Sequence, residues 1–260
     1  GAITATLLAT GHSVSKIQDF NESEPAELFN PSELHERLYR KYDAEHFVRR
    51  PQDIFAVDTT LGSPSLRTLL FLVVRNATTD SPWFLTNNPD AKFNDRSLPG
   101  CNLDLPLWQL VRASTAAPTY FDPEVITVGE ETFVFADGGL TGYSNPACKA
   151  FLMVTVEPYC LSWPTGTNRM LVVSVGTGGR SLANEALQPS HMHLWWYHAQ
   201  TLPHALMGAA RDQRELLCRV FGVCLVGEPI DLEVGDLIDA AGHVEPKLFT
   251  YLRYDLPLTA

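Results

Sequence analysis

Hydrophobic positions along the chain follow two rhythms, one suited to strands and one to helices. Phe133-Val134-Phe135-Ala136 reads as a buried strand that delivers Asp137 onto Gly138 and Gly139 at its carboxyl end. Leu69-Leu70-Phe71-Leu72-Val73-Val74 is a continuous apolar run between polar flanks, which predicts a central strand covered on both faces. Trp83-Phe84-Leu85 predicts a neighbour that ends before Asn87-Asn88-Pro89. Leu171 to Val175 predicts a strand running into Gly176-Thr177-Gly178-Gly179, and Leu248 to Tyr254 predicts another. Between these lie helical segments. Gly1 to Gly11 is one. Asn30-Pro31-Ser32-Glu33 marks the start of a second, with Asn30 as N-cap and Pro31 at the first helical position, running through His35 to Lys41. The segment from Leu107 predicts a third, with a small-residue end stopped by Pro118. Residues 192–224 are rich in helix formers, with breaks expected at Pro203 and Gly222. The polar, acidic stretch Gln18 to Pro25 reads as a connector between helices. Strands alternating with helices predict an α/β sandwich with a partly parallel sheet.

Composition narrows the class. The 260 residues are 45% hydrophobic, enough to bury a full core, and no Pro/Ser/Gly-rich linker divides them. A single domain over 1–260 is therefore expected. Thirty acids against 19 bases give a net charge of −11, which argues against nucleic acid and against a general electrostatic grip on anionic membranes. No run of about 18 apolar residues reads as a membrane-spanning helix. The cysteines (Cys101, Cys148, Cys160, Cys218 and Cys224) are odd in number and lack metal-like spacing. They read as free thiols in a reducing, cytoplasmic setting.

Several segments bear on chemistry. Asp137 stands where reacting groups gather in α/β sheets, beyond the carboxyl end of a strand. An Asp-Gly pair is also a common turn, so the tripeptide alone reads as a turn with a capping Asp. His191-Met192-His193-Leu194-Trp195-Trp196-Tyr197-His198 invites a metal reading, yet its histidines miss the i, i+4 spacing of a helical metal pair. A packed aromatic segment fits better, with a lipid-facing role for Trp195 and Trp196 as the alternative. The Gly176 to Gly179 turn lacks P-loop spacing and its Lys-Ser/Thr. His243 follows Asp137 in the order of a Ser-Asp-His hydrolase, although nothing around it looks like a triad loop.

Taken together and in order, three segments resemble the patatin-like phospholipases, serine lipid acyl hydrolases. They are Ala113-Ser114-Thr115-Ala116-Ala117-Pro118-Thr119-Tyr120-Phe121, Asp137-Gly138-Gly139 with Asn145-Pro146, and Val175-Gly176-Thr177-Gly178. Tyr42-Asp43 and the segment from Leu69 to Phe84 are similar too, so the resemblance covers nearly the whole chain. Ser144 is a mild departure from the family's more frequent Asn. The resemblance implies a three-layer α/β sandwich around a central, partly parallel sheet. It implies hydrolysis of lipid or phospholipid carboxylic esters by a Ser-Asp dyad, without metal or organic cofactor, and with possible peripheral membrane contact. Asp137 would be the base, and Gly138 and Gly139 would keep the approach to its carboxylate clear.

The family's G-x-S-x-G nucleophile elbow has no match here. Gly11-His12-Ser13-Val14-Ser15 comes near but sits where a helix should be ending. Gly1 is expected to be the elbow's last glycine, with the nucleophile two positions before it and the oxyanion loop further upstream. The chain is thus expected to be a fragment, inactive by itself, and cut near its far end as well. Two alternatives remain at this level: a catalytically dead relative that binds lipid or regulates, and an ordinary Ser-Asp-His esterase using His243.

Overall fold

The computed structural model describes residues 1–23, 52, 54–118, 120–178, 202–231, 233–235 and 244–255. The predicted helix from Asn30 to Lys41, Tyr42-Asp43, the His191–His198 cluster with Trp195 and Trp196, and His243 lie outside them. The chain divides into two compact units, Gly1–Thr141 and Gly142–Ala260.

The first unit begins with helices α1 (Ala2–Ala9) and α2 (Val14–Ser23). Gly11, at φ +81°, turns the chain between them in a left-handed conformation that favours glycine. The Gln18 to Pro25 stretch is not a plain connector, because Gln18 to Ser23 belong to α2. Ser13 Oγ accepts the Lys16 N–H at 3.3 Å near the helix start, and Gln18 bonds Glu22 one turn on at 2.8 Å. Buried Ile17 anchors the helix to the core.

The sheet of this unit contains β1 (Phe71–Asn76), β2 (Ser81–Thr86), β3 (Glu124–Val128) and β4 (Glu131–Asp137). Its order is β2-β1-β4-β3, and every pairing is antiparallel. The apolar run expected to begin a strand at Leu69 enters the sheet two residues later. The side chain of Asn87 takes the Leu70 N–H at 2.6 Å and donates to the Thr68 carbonyl at 3.0 Å, so a side-chain clamp replaces the ladder there. Helix α3 (Leu107–Thr115) packs across β1, β3 and β4. Leu107, Leu110 and Val111, spaced i, i+3, i+4, are each buried against Leu72, Val74, Phe133 and Phe135. Trp83 closes this core on the aromatic side, with ring centroids 4.9 Å from Phe133 and 5.2 Å from Phe135. Arg112 and Glu124, both buried, form an ion pair between α3 and β3, and Gln109 Nε2 adds a 2.7 Å bond to Glu124.

The second unit holds α4 (Ala147–Thr155), β5 (Leu171–Val175), α5 (Leu202–Phe221), β6 (Gly222–Val226) and β7 (Phe249–Tyr254). Its strands lie in the order β5-β7-β6, all parallel. Pro203 does not break the helix. It occupies the second residue of α5, where a missing N–H costs nothing. Gly222 does end it, since β6 starts there and an added Cβ would meet the Phe249 ring at 2.5 Å. Cys148, Phe151, Cys218, Phe249 and Tyr251 form the buried cluster beneath this sheet. The partly parallel character expected from the sequence is thus divided between an antiparallel ladder and a parallel one. All five cysteines are free thiols.

Candidate active site

Asp137 is the last residue of β4, opposite Val74 in the ladder with β1. Beyond it Gly138 to Thr141 coil into a short 3-10 turn. The Asp137 side chain is half-buried, and its Oδ1 accepts the Gly139 N–H at 2.7 Å. Gly138 is buried against β1. An added Cβ would stand 2.2 Å from the Val73 carbonyl oxygen, inside the hard-sphere limit. Gly138 is therefore set by packing against a strand, a reason different from the open approach expected of it. Gly139 supplies the N–H that fixes the carboxylate.

Burial pushes the Asp137 carboxyl above its ordinary value. The Gly139 N–H and the positive charge of the Gly1 amino group pull it back down, so the rise is the net of opposing effects. Gly1 is the N-cap of α1, and its amino group and Asp137 feel each other's charge directly. Burial lowers the pKa of that amino group, and Asp137 raises it again. Gly1 is exposed as a residue, so the desolvation falls on its nitrogen. A Cβ on Gly1 would meet nothing within 4 Å. Gly1, at the start of α1, thus lies near Asp137, at the end of β4.

The end of α3 holds the other side of this corner. The Asp137 N–H donates to the Ala116 carbonyl at 3.0 Å. Ser114 Oγ donates to the Val73 carbonyl at 2.7 Å, and Thr115 Oγ1 bonds back to the Val111 carbonyl at 3.0 Å. In the sequence this small-residue segment offered neither acid nor base, and its part in holding Asp137 was not visible there. The repeated small residues before Pro118 were the available signal, since they let a helix end lie close against a strand.

In the second unit, two further motif segments meet. Asn145 is completely buried, and its Oδ1 accepts Ser174 Oγ at 3.0 Å and the Ala147 N–H at 3.2 Å. Its Nδ2 reaches Glu215 Oε2 at 3.2 Å and Tyr251 Oη at 3.3 Å. Tyr251 in turn donates to Glu215 Oε2 at 2.6 Å, and Arg219 donates to Glu215 Oε1 at 3.0 Å. Arg253 donates to Ser174 Oγ at 2.7 Å and pairs with Asp255, whose Oδ1 accepts the Gly178 N–H at 2.9 Å. The Gly176-Thr177-Gly178 turn is a folded corner. A Cβ at Gly176 would strike the Asp255 carboxylate at 2.2 Å. Ser144, next to this network, is exposed.

A family model described as patatin-like phospholipase matches residues 1–151, more than half of the chain. The chain belongs to the patatin-like phospholipase family. No curated protein matches it. The match takes in Gly1, the Ser114 segment and Asp137-Gly138-Gly139, the pieces that the structure gathers at the end of β4. The mixed α/β architecture, with sheet flanked by helices, agrees with a patatin-like sandwich, and the family places the chain among lipid acyl hydrolases in general. Among the described residues, no group of three His, Cys, Asp or Glu side chains stands ready to hold a metal ion. None of the described helices is long and apolar enough to cross a membrane.

Proposed function

We propose that this patatin-like protein hydrolyses lipid carboxylic esters, with phospholipids as the substrate class, and that Asp137 is its general base. The nucleophile in this reading is a serine two positions before Gly1. The observation that supports it is the placement of Asp137 at the carboxyl end of β4, with the Gly139 N–H on one carboxylate oxygen and the Ala116 carbonyl on its backbone N–H, inside the family match over residues 1–151.

The chemistry follows from that placement. The Asp137 carboxylate accepts the proton of the serine hydroxyl as the serine oxygen bonds to the ester carbonyl carbon. The tetrahedral adduct collapses, the alcohol leaves with the proton from Asp137, and an acyl-serine remains. Water then repeats the sequence and releases the fatty acid. An Asp at its ordinary pKa of about 3.9 is a weak base near neutrality. Partial desolvation makes the Asp137 carboxylate more basic, while the Gly139 N–H keeps one oxygen oriented and leaves the other for the proton.

The test uses the natural protein together with the sequence that precedes Gly1. A short-chain fluorogenic ester and a fluorophosphonate probe are applied in parallel, and the labelled peptide is mapped. Turnover with label two residues before Gly1, and loss of about 10²–10⁴-fold in kcat for Asp137→Asn, is the expected result. A folded protein that neither turns over nor labels would instead be a lipid-binding or regulatory relative. A large loss in His243→Ala, with Asp137→Asn still active, would move the chemistry to a Ser-Asp-His arrangement.

A further inference from the structure

The ladder between β1 and β4 ends abruptly at the residue that matters. Its pairs are Asn76 with Phe135, Arg75 with Ala136 and Val74 with Asp137. After Asp137 the chain turns away, so the next β1 carbonyl in line, that of Val73, faces Gly138 without a strand residue opposite. A carbonyl at a buried strand end needs a donor. Ser114 Oγ provides it at 2.7 Å.

The other flank of β4 ends even earlier. β3 pairs as far as Glu124 opposite Phe135, two residues before Asp137. There the Ala116 carbonyl takes the Asp137 N–H at 3.0 Å. One helix end therefore finishes both flanks of β4, with Ser114 on the β1 side and Ala116 on the β3 side.

We propose that Ser114 is a positioning residue for Asp137: its hydroxyl ties α3 to the Val73 carbonyl and so fixes the strand end from which the carboxylate projects. This rests on the reading of Asp137 as the general base. Ser114 touches no reacting atom. It acts by keeping Val73, Gly138 and Asp137 in register, and without it the Val73 carbonyl would recruit water and the corner would loosen. Misplacement of a catalytic group by about 1 Å costs on the order of a hundredfold in rate, so even a partial loosening is measurable.

The experiment compares Ser114→Ala, Ser114→Cys and Ser114→Thr with Asp137→Asn in the natural protein, reading kcat, KM, the kcat–pH profile and Tm. The expected result is a kcat about ten- to a hundredfold lower in Ser114→Ala at unchanged KM, with a displaced acid limb of the profile. Ser114→Cys, a near-isostere and weaker donor, should fall between, and Ser114→Thr should recover most of the rate. Wild-type kcat and pH profile in a folded Ser114→Ala, beside an inactive Asp137→Asn, would overturn the positioning role and leave the base assignment standing. An active Asp137→Asn would overturn both. A Ser114→Ala that does not fold would also overturn it, because the hydroxyl would then support the whole unit rather than one carboxylate.

Discussion

Gly138 lies so close to Val73 that a single added carbon would stand 2.2 Å from the Val73 carbonyl oxygen and 2.7 Å from its carbonyl carbon. The obstacle is backbone, and backbone in the middle of a sheet does not step aside. Gly138→Ala should therefore lose about 1–3 kcal/mol of stability, or more if β1 cannot shift, seen as a lower urea midpoint with unchanged m-value. A Gly138→Ala protein as stable as the parent would disprove the close approach.

Asp137 links the site to stability through pH. Its pKa is raised in the folded protein, first by burial. A raised carboxyl favours the protonated native state, so this contribution is fully present below the unfolded value of about 3.9 and is lost as pH rises through the folded value. Asp137→Asn lacks that loss. At pH 7 the Asn variant should be at least as thermostable as the parent, and its advantage should shrink as the pH approaches 4. Thermal melts across pH 4 to 8 decide this, and an Asn variant less stable only at neutral pH would reverse the sign.

The Arg112–Glu124 pair is buried between α3 and β3. Burial lowers the pKa of the Arg112 guanidinium, and Asp122 opposes that shift. Removing one partner leaves the other charge in the core. Arg112→Met or Glu124→Leu alone should cost about 3–5 kcal/mol, whereas the double replacement should recover most of the loss. A double-mutant cycle by urea unfolding reads both numbers. Because the end of α3 carries Ser114 and its C-cap is Ala116, the single variants should, on the proposed function, lose ester turnover together with stability.

Tyr251 is fully buried and donates to Glu215 Oε2 at 2.6 Å, and Asn145 bonds both. Burial and the Glu215 bond push its phenol pKa up, so the hydroxyl keeps its proton and remains a donor. Tyr251→Phe leaves Glu215 and Asn145 short of a partner without creating a large cavity. A loss of about 1–3 kcal/mol is expected from chemical denaturation, whereas a neutral result would mean that water replaces the hydroxyl.

How much of this was legible follows from where each constraint comes from. Strand β4, helix α3, strand β5 and strand β7 were readable because side-chain period is a local property of a strand or helix. Asp137 was placed at a strand end for the same reason. Strand β1 was found two residues off, because Asn87, 17 residues from Leu70, decides where the sheet begins. The role of Ser114 depends on Val73, 41 residues away, and that of Asn145 on Tyr251, 106 residues away. Gly138 was recognised as special, but its reason is the Val73 carbonyl pressed against it. Local patterning was enough to set the alternation of elements, the family resemblance and the acidic residue at the end of β4. Which carbonyls and N–H groups hold that residue emerged from the folded chain alone, because such bonds join segments whose spacing along the chain carries no periodic signal.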